Sequence, residues 1–324
     1  MIGLGGTWLL LPALVLDATV GDPDWLWRRL PHPVVLLGRL VDALDARLNV
    51  DSDAPAKRRA KGLLAALVIA ATGALAGGLT HWIAVALPGG WLIEFLAIAV
   101  LLAQRSLYEH VEAVADAIRD GGLDAARVAV ARIVGRDPSS LDAPGIARAA
   151  IESLAEGLCD GVVAPLFWYV VAGLPGMLAY KAINTADSMI GNRTPRYRDF
   201  GRAVARVDDV VNWPASRLAA LLLLVVSPLM SFAATRRVAV ALRLDARRHR
   251  SPNAGWPEAA MAAVLDVALA GPRRYAGERV EDAWMNPSGR RDANEEDIRL
   301  ALTVYAAACA LLFLLCIPIA FTLA

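Results

Sequence analysis

No Gly-Lys pair occurs in the 324 residues, so the chain has no P-loop. GxGxxG, HExxH and GxSxG are missing too, and with them those dinucleotide, metalloprotease and serine-hydrolase signatures. Only three cysteines are present, Cys159, Cys309 and Cys316, without paired spacing. That excludes a disulfide scaffold. The four histidines (His32, His81, His110 and His249) are scattered, which leaves zinc and thiol catalysis unsupported. Acids and bases balance to a net charge of +1, so nothing points to nucleic acid. No internal repeat is visible, which disfavours common secondary-transporter architectures.

What is present is apolar. The chain is 57% hydrophobic and 20% charged, against about 45–50% and about 25% for soluble domains. It is too apolar for a typical cytosolic enzyme, too charged for a protein built only of membrane spans, and too apolar for disorder. The reading is an all-α, polytopic membrane protein with about four to six membrane segments, some broken or re-entrant. A single domain over 1–324 is expected, with helical polar segments at 17–61, 105–160, 181–217 and 236–299.

A span needs about 20 apolar residues. Segments 62–87 and 300–324 qualify outright. Segment 218–235 is uncharged but holds Ser227-Pro228, and 161–180 is interrupted by Pro165, Gly173 and Pro175. Segment 91–104 carries Glu94 and follows Pro88-Gly89-Gly90, which reads as a tight helical hairpin. The apolar stretch 2–16 lacks a basic n-region and a cleavage site, so it reads as a short membrane helix or re-entrant piece. Eight Lys and Arg residues in 21–61 and none in the 88–91 turn put 21–61 in the cytoplasm and the hairpin tip outside. Segments 181–217 and 236–299 are both Arg-rich, and the positive-inside rule does not separate them.

The polar segments carry the candidate chemistry. A helix is expected over 106–119 with a stop at Gly121-Gly122, another over 124–134, and a third from Asp142-Ala-Pro144 to about Cys159. In the third, Ala147, Ile151, Leu154 and Leu158 form an apolar stripe, and Arg148, Glu152 and Glu156 share another face, with Asp160 at its end. That face reads either as a solvated salt-bridged surface or as carboxylates at a bilayer boundary that hold a metal. Lys181 stands out in a chain with three Lys against thirty Arg, and a compact ammonium suits phosphate contact. Asn184, Thr185, Asp187, Ser188 and Asn192 crowd hydrogen-bonding groups behind it, the plain alternative being a polar loop with N-caps. Asp208-Asp209 is a further candidate Mg²⁺ pair. Ser251-Pro-Asn253-Ala-Gly255-Trp leads into a helix that Gly271-Pro272 is expected to stop, and its N-terminus offers a phosphate cradle or simply a capped start.

LDATVGDPDWLWRRLPHPVVLLGRL (16–40), ARIVGRDPSSLD (131–142), RAAIESLAEGLCDGVVAPLFWY (148–169), AYKAINTADSMIGNRTPRYRDFG (179–201), ARVDDVVNWPASRL (205–218) and SPNAGWPEAAMA (251–262) resemble, in order, the adenosylcobinamide-phosphate synthase family of cobalamin biosynthesis. The resemblance covers nearly the whole chain. Departures at Gly157, Asn192, Arg202, Val204 and 266–270 bear on fine substrate preference. It implies a multi-pass enzyme of the bacterial cell (inner) membrane. Such an enzyme joins adenosylcobyric acid to (R)-1-amino-2-propanol O-phosphate, or free aminopropanol, with ATP and Mg²⁺, and its oligomeric state stays open. In that frame Lys181, Asp187 and Glu152 are the catalytic candidates. Asn184, Thr185, Ser188, Arg193, Ser251, Asn253 and Gly255 would bind substrate or phosphate. Glu152, Glu156, Asp160, Asp187, Asp208 and Asp209 would supply Mg²⁺ ligands, and any of these carboxylates could be the base for the amine. Two readings compete: a membrane sensor of a related group linked with beta-lactamase regulation, and a corrinoid-binding transport component.

Overall fold

The computed structural model describes residues 6–135, 137–275 and 278–322. Positions 2–5 and 323–324, the outer ends of two expected apolar segments, and Arg136 of the 131–142 motif lie outside them. In chain order the helices are α1 Leu10–Thr19, α2 Asp24–Trp27, α3 Pro33–Leu48, α4 Pro55–Ala86, α5 Trp91–Leu101, α6 Gln104–Asp116, α7 Gly122–Val130, α8 Ala143–Gly157, α9 Ala164–Ile190, α10 Arg202–Val211, α11 Trp213–Val226, α12 Phe232–Leu244, α13 Gly255–Leu265 and α14 Glu295–Thr322. Among the described residues four short strands pair antiparallel in two ladders: β1 Leu269–Ala270 with β4 Trp284–Met285, and β2 Arg273–Tyr275 with β3 Glu278–Val280. The fold is thus all-α with a small unforeseen β insert.

Among the described residues, four helical stretches are long and apolar enough to cross a membrane: Pro55–Ala86, Trp91–Val130, Ala143–Ile190 and Glu295–Thr322. A fifth candidate is the pair Arg202–Val211 and Trp213–Leu229, bent by 47°. The protein is a multi-pass membrane protein. The chain divides into two compact units, residues 1–103, 164–212 and 315–324 in the first and 104–163 and 213–314 in the second.

In the first unit α4 packs along α9. Ideal Cβ atoms on Gly73 and Gly77 would stand 2.6 Å from the Leu178 carbonyl oxygen and 2.5 Å from that of Leu174. Small residues four apart let two backbones approach, the usual device where lipid removes the hydrophobic drive between helices. Leu37, Val41, Ile69, Ile183 and Phe200 complete this core. The α4–α5 hairpin forms as expected, with Gly89 at φ +75° in its turn. Glu94 is buried in α5, and Tyr169 Oη donates to its Oε1 at 2.9 Å while His81 Nδ1 lies 2.8 Å from Oε2. A carboxylate among apolar helices is tolerated when so partnered. The break in 161–180 falls at Ala172-Gly173 (Gly173 φ +63°), and Pro175 then sits in the first turn of the resumed helix.

Residues 181–190 are helix, as the helical reading of 181–217 has it and against the alternative of a polar loop, because Ala182, Ile183, Ala186 and Ile190 are buried in the core. Several boundaries differ from expectation. Segment 218–235 is not one helix. After α11 comes a 3₁₀ turn, Ser227–Leu229, where Pro228 supplies no N–H; Ser231 Oγ then caps α12 by accepting from Ala234 N at 3.0 Å. In the second unit, α6 passes through a π turn, Ala117–Gly121, into α7, with Gly122 at φ +75°. α7 ends at Val130 rather than 134. Asp142 caps α8 as expected, its Oδ1 accepting from Gly145 N at 2.8 Å. α13 ends at Leu265, well before Gly271-Pro272, because Asp266 adopts the left-handed region (φ +57°).

Candidate functional site

The second half of α9 carries Lys181, Asn184, Thr185 and Ser188 at i, i+3, i+4 and i+7, hence on one side of the helix. The hydroxyls of Thr185 and Ser188 donate back to the carbonyls of Lys181 (2.7 Å) and Asn184 (3.1 Å), which leaves their lone pairs as the outward chemistry. Asn184 Nδ2 reaches Asp208 Oδ1 at 3.5 Å. Asp208 Oδ2 accepts from Asn212 Nδ2 at 3.0 Å, and Asn212 Oδ1 accepts from Tyr180 Oη at 2.9 Å. Asp208 and Asn212 are buried, so this is an internal polar chain joining α9 to α10. Asp209 is half-buried, and adjacent helical positions point about 100° apart, so the two carboxylates do not form a chelating pair from one face. The carboxylate of Asp187 lies over Gly191: a Cβ there would stand 1.9 Å from Oδ1.

Arg193 is exposed, whereas its neighbour Arg196 is a clamp. Arg196 Nη2 donates to Asp45 Oδ2 at 2.7 Å, and Asn49 Nδ2 donates to Asp45 Oδ1 at 2.7 Å. Arg58 gives Asn49 Oδ1 two hydrogen bonds (3.0 and 2.7 Å) and another to the Arg196 carbonyl. Part of the 193–198 arginine run is thus committed to holding α3, α4 and the 191–201 connection together.

The second unit holds the other candidates. Glu152 is buried, and its Oε1 accepts from Ala270 N at 2.7 Å. Arg148 stacks on Trp284 at 5.8 Å and donates to the Arg291 carbonyl. The face of Arg148 and Glu152 is therefore built into the protein rather than solvated. Glu156 is exposed and Asp160 half-buried. Asp160 falls in a π segment, Leu158–Val163, which breaks the i, i+4 spacing expected from Glu156.

Around 251–256, Ser251 Oγ accepts from Asn253 N (3.2 Å) and Ala254 N (3.1 Å). Trp256 N and Glu258 N donate to the carbonyls of Asn253 and Ala254. The N–H groups of Asn253, Ala254 and Trp256 are thus used inside the chain. Gly255 has no room for a Cβ, which would stand 2.4 Å from the Ala246 carbonyl oxygen. Buried Asn253 accepts at Oδ1 from Arg217 Nη1 (2.7 Å) and Ser216 Oγ (3.2 Å). His249 Nε2 lies 3.5 Å from Oε2 of buried Glu258.

Among the described residues no three His, Cys, Asp or Glu side chains group to hold a metal ion. The six metal candidates fall three in each unit: Asp187, Asp208 and Asp209 in the first, Glu152, Glu156 and Asp160 in the second. Mg²⁺ carried on nucleotide phosphates needs only one or two protein carboxylates, so this donor set fits a shared ion better than a resident one. A cavity of about 410 Å³ in the second unit, lined by Arg236, Arg237, Asp245, Asn286 and Ser288, includes none of the expected site residues. Tyr180, Asn212 and Arg217 were not singled out from sequence. The spacings Asp208–Asn212 and Trp213–Arg217, both i, i+4, were the available signals.

Fold and side chains define an all-α, multi-pass membrane protein with a built polar cluster in each unit. The model of the family described as CobD/Cbib protein matches residues 10–305. A Sinorhizobium sp. protein named cobalamin biosynthesis protein CobD is 52% identical over 304 residues, 93% of this chain and 94% of its own length. Proteins of the same name from Brucella suis biovar 1 (48% identical, 90% of both chains) and Rhodobacter capsulatus (47%, 93% of both) are similar over the same extent. No solved structure matches. This chain belongs to the CobD/Cbib family.

Proposed function

We propose that the protein acts in cobalamin biosynthesis as an ATP-dependent amide ligase, adenosylcobinamide-phosphate synthase, in the bacterial inner membrane. The observation that carries the reading is family membership over nearly the full chain, joined to the names of the relatives. Those names also weigh against the beta-lactamase-linked sensor.

The chemistry sets what the residues must do. The remaining propionate carboxylate of adenosylcobyric acid is inert toward an amine in neutral water. Its oxygen attacks the γ-phosphorus of ATP, ADP leaves, and an acyl phosphate results. The amine of aminopropanol phosphate, or of free aminopropanol, then attacks the acyl carbon, inorganic phosphate leaves, and a base takes the amine proton. Positioning and charge neutralisation dominate such steps. Lys181 and Arg193 would neutralise phosphate, and Asn184, Thr185, Ser188, Ser251 and Asn253 would orient oxygens, with Gly255 keeping the backbone close. Asp187, Asp209, Glu156 and Asp160 keep some exposure and are the better Mg²⁺ ligands, while buried Asp208 positions Asn184. Glu152, held on Ala270 N, would act as the base.

The mass of the product made by membranes from the two purified substrates tells phosphorylated from free aminopropanol use. Lys181→Ala is expected to lower ligation at least about tenfold, one lost charge-assisted contact. Wild-type ligation in that variant would remove the phosphate role. A corrinoid transport component would bind cobyric acid without consuming ATP.

A further inference from the structure

Arg217 is the fifth residue of α11, one turn beyond Trp213. Its guanidinium contacts two indoles, 4.8 Å from the Trp213 ring centroid and 4.7 Å from that of Trp256. Nη1 is spent on the protein: it donates to Trp213 O (3.1 Å), Ser216 Oγ (2.9 Å) and Asn253 Oδ1 (2.7 Å). The guanidinium lies over both rings, and these acceptors take one corner. What remains is the Nε and Nη2 edge, the edge that receives a carboxylate or phosphate by two parallel hydrogen bonds.

Other arginines of this unit close onto carboxylates: Arg127 on Asp124 (3.0 Å), Arg290 on Asp297 (2.7 Å) and Arg299 on Asp116 (2.8 Å). Among the described residues Arg217 makes no such pair, although its guanidinium is held by three hydrogen bonds and two rings. A fixed, partly desolvated cation without a counter-charge is costly to keep for structure alone. Asn253 fixes it with a neutral amide, where an aspartate would have cancelled its charge.

We propose that Arg217, gripped by Trp213, Trp256 and Asn253, is an oxyanion-binding residue that takes a phosphate or carboxylate group of a substrate on its Nε–Nη2 edge. Only the identity of that substrate rests on the ligase reading.

The test uses full-length protein purified in detergent, with thermal unfolding followed against inorganic phosphate and against propionate at constant ionic strength. Wild type is expected to show a saturable rise in Tm with at least one of them. A phosphate response points to the phosphorylated substrate or nucleotide, and a propionate response to the corrinoid acid. Arg217→Lys keeps a positive charge but offers no fork, and it should weaken that response at least about tenfold. Asn253→Asp is nearly isosteric and supplies an internal carboxylate that competes with the anion. It should cause the same loss, and it decides the matter if Arg217→Lys does not fold. No saturable response in wild type, or equal responses in wild type and the variants, overturns the proposal. Arg217-dependent binding without substrate-dependent ADP release would instead refute the ligase reading and leave this site standing.

Discussion

Gly77 and Gly78 are neighbours in α4 with opposite expected responses to the same substitution. A Cβ on Gly77 would stand 2.5 Å from the carbonyl oxygen of Leu174 and 2.7 Å from Leu174 C and Pro175 Cα, all backbone atoms of α9. A Cβ on Gly78 meets nothing within 4 Å. Replacing helical Gly by Ala gains about 0.8–1.0 kcal/mol of propensity at either position. At Gly78 that gain is the whole effect. At Gly77 the two helices must separate, since backbone cannot swing aside as a side chain can, and such overpacking costs about 1–3 kcal/mol. Gly78→Ala is therefore expected to stabilise. It should exceed Gly77→Ala by about 1–3 kcal/mol, because the propensity gain is common to both. Unfolding in mixed micelles with increasing sodium dodecyl sulfate, followed by circular dichroism, measures the difference. Equal stability of the two variants would refute the close α4–α9 packing.

Asp142→Ala removes the cap of α8 and should cost about 1 kcal/mol in the same assay, with Asp142→Asn recovering most of it. Glu152→Gln keeps an acceptor for Ala270 N and should fold, yet lose ligation at least about 100-fold if Glu152 is the base, whereas Glu152→Leu should also destabilise. Burial holds the Asp245 carboxyl above the usual range, against a weaker opposing hydrogen bond from Asn286 N. The unfolded chain then gives up that proton first, so wild type loses stability as pH rises from about 4 through the raised folded value. Asp245→Asn does not titrate and keeps the acceptor. Its stability relative to wild type should grow across that window in pH-dependent unfolding curves, and a flat difference would contradict the assignment.

Local signals were legible where one residue decides the backbone. Asp142 followed by Pro144 marked the start of α8, and Pro88-Gly89-Gly90 the hairpin. Residues 181–190 left a polar loop open beside the helix, because Asn, Thr, Asp and Ser favour caps and turns when taken alone. Burial of Ala182, Ile183 and Ala186 against α4 overrides that preference. The end of α13 was hidden because Asp266, not a glycine, takes the left-handed conformation. The π segments at 117–121 and 158–163 carry no composition signal, and the second moved Asp160 out of its expected spacing. The site chemistry was legible only in part. Asn253 was singled out, but its partner Arg217 lies 36 positions away, and no periodicity joins them.

The central claim is tested most directly by ADP release from wild-type membranes. ADP is expected to form only when adenosylcobyric acid and an aminopropanol substrate are both present, one ADP for each amide made. ADP formed without either substrate, or amide-independent binding of the corrinoid with no ADP at all, would contradict it.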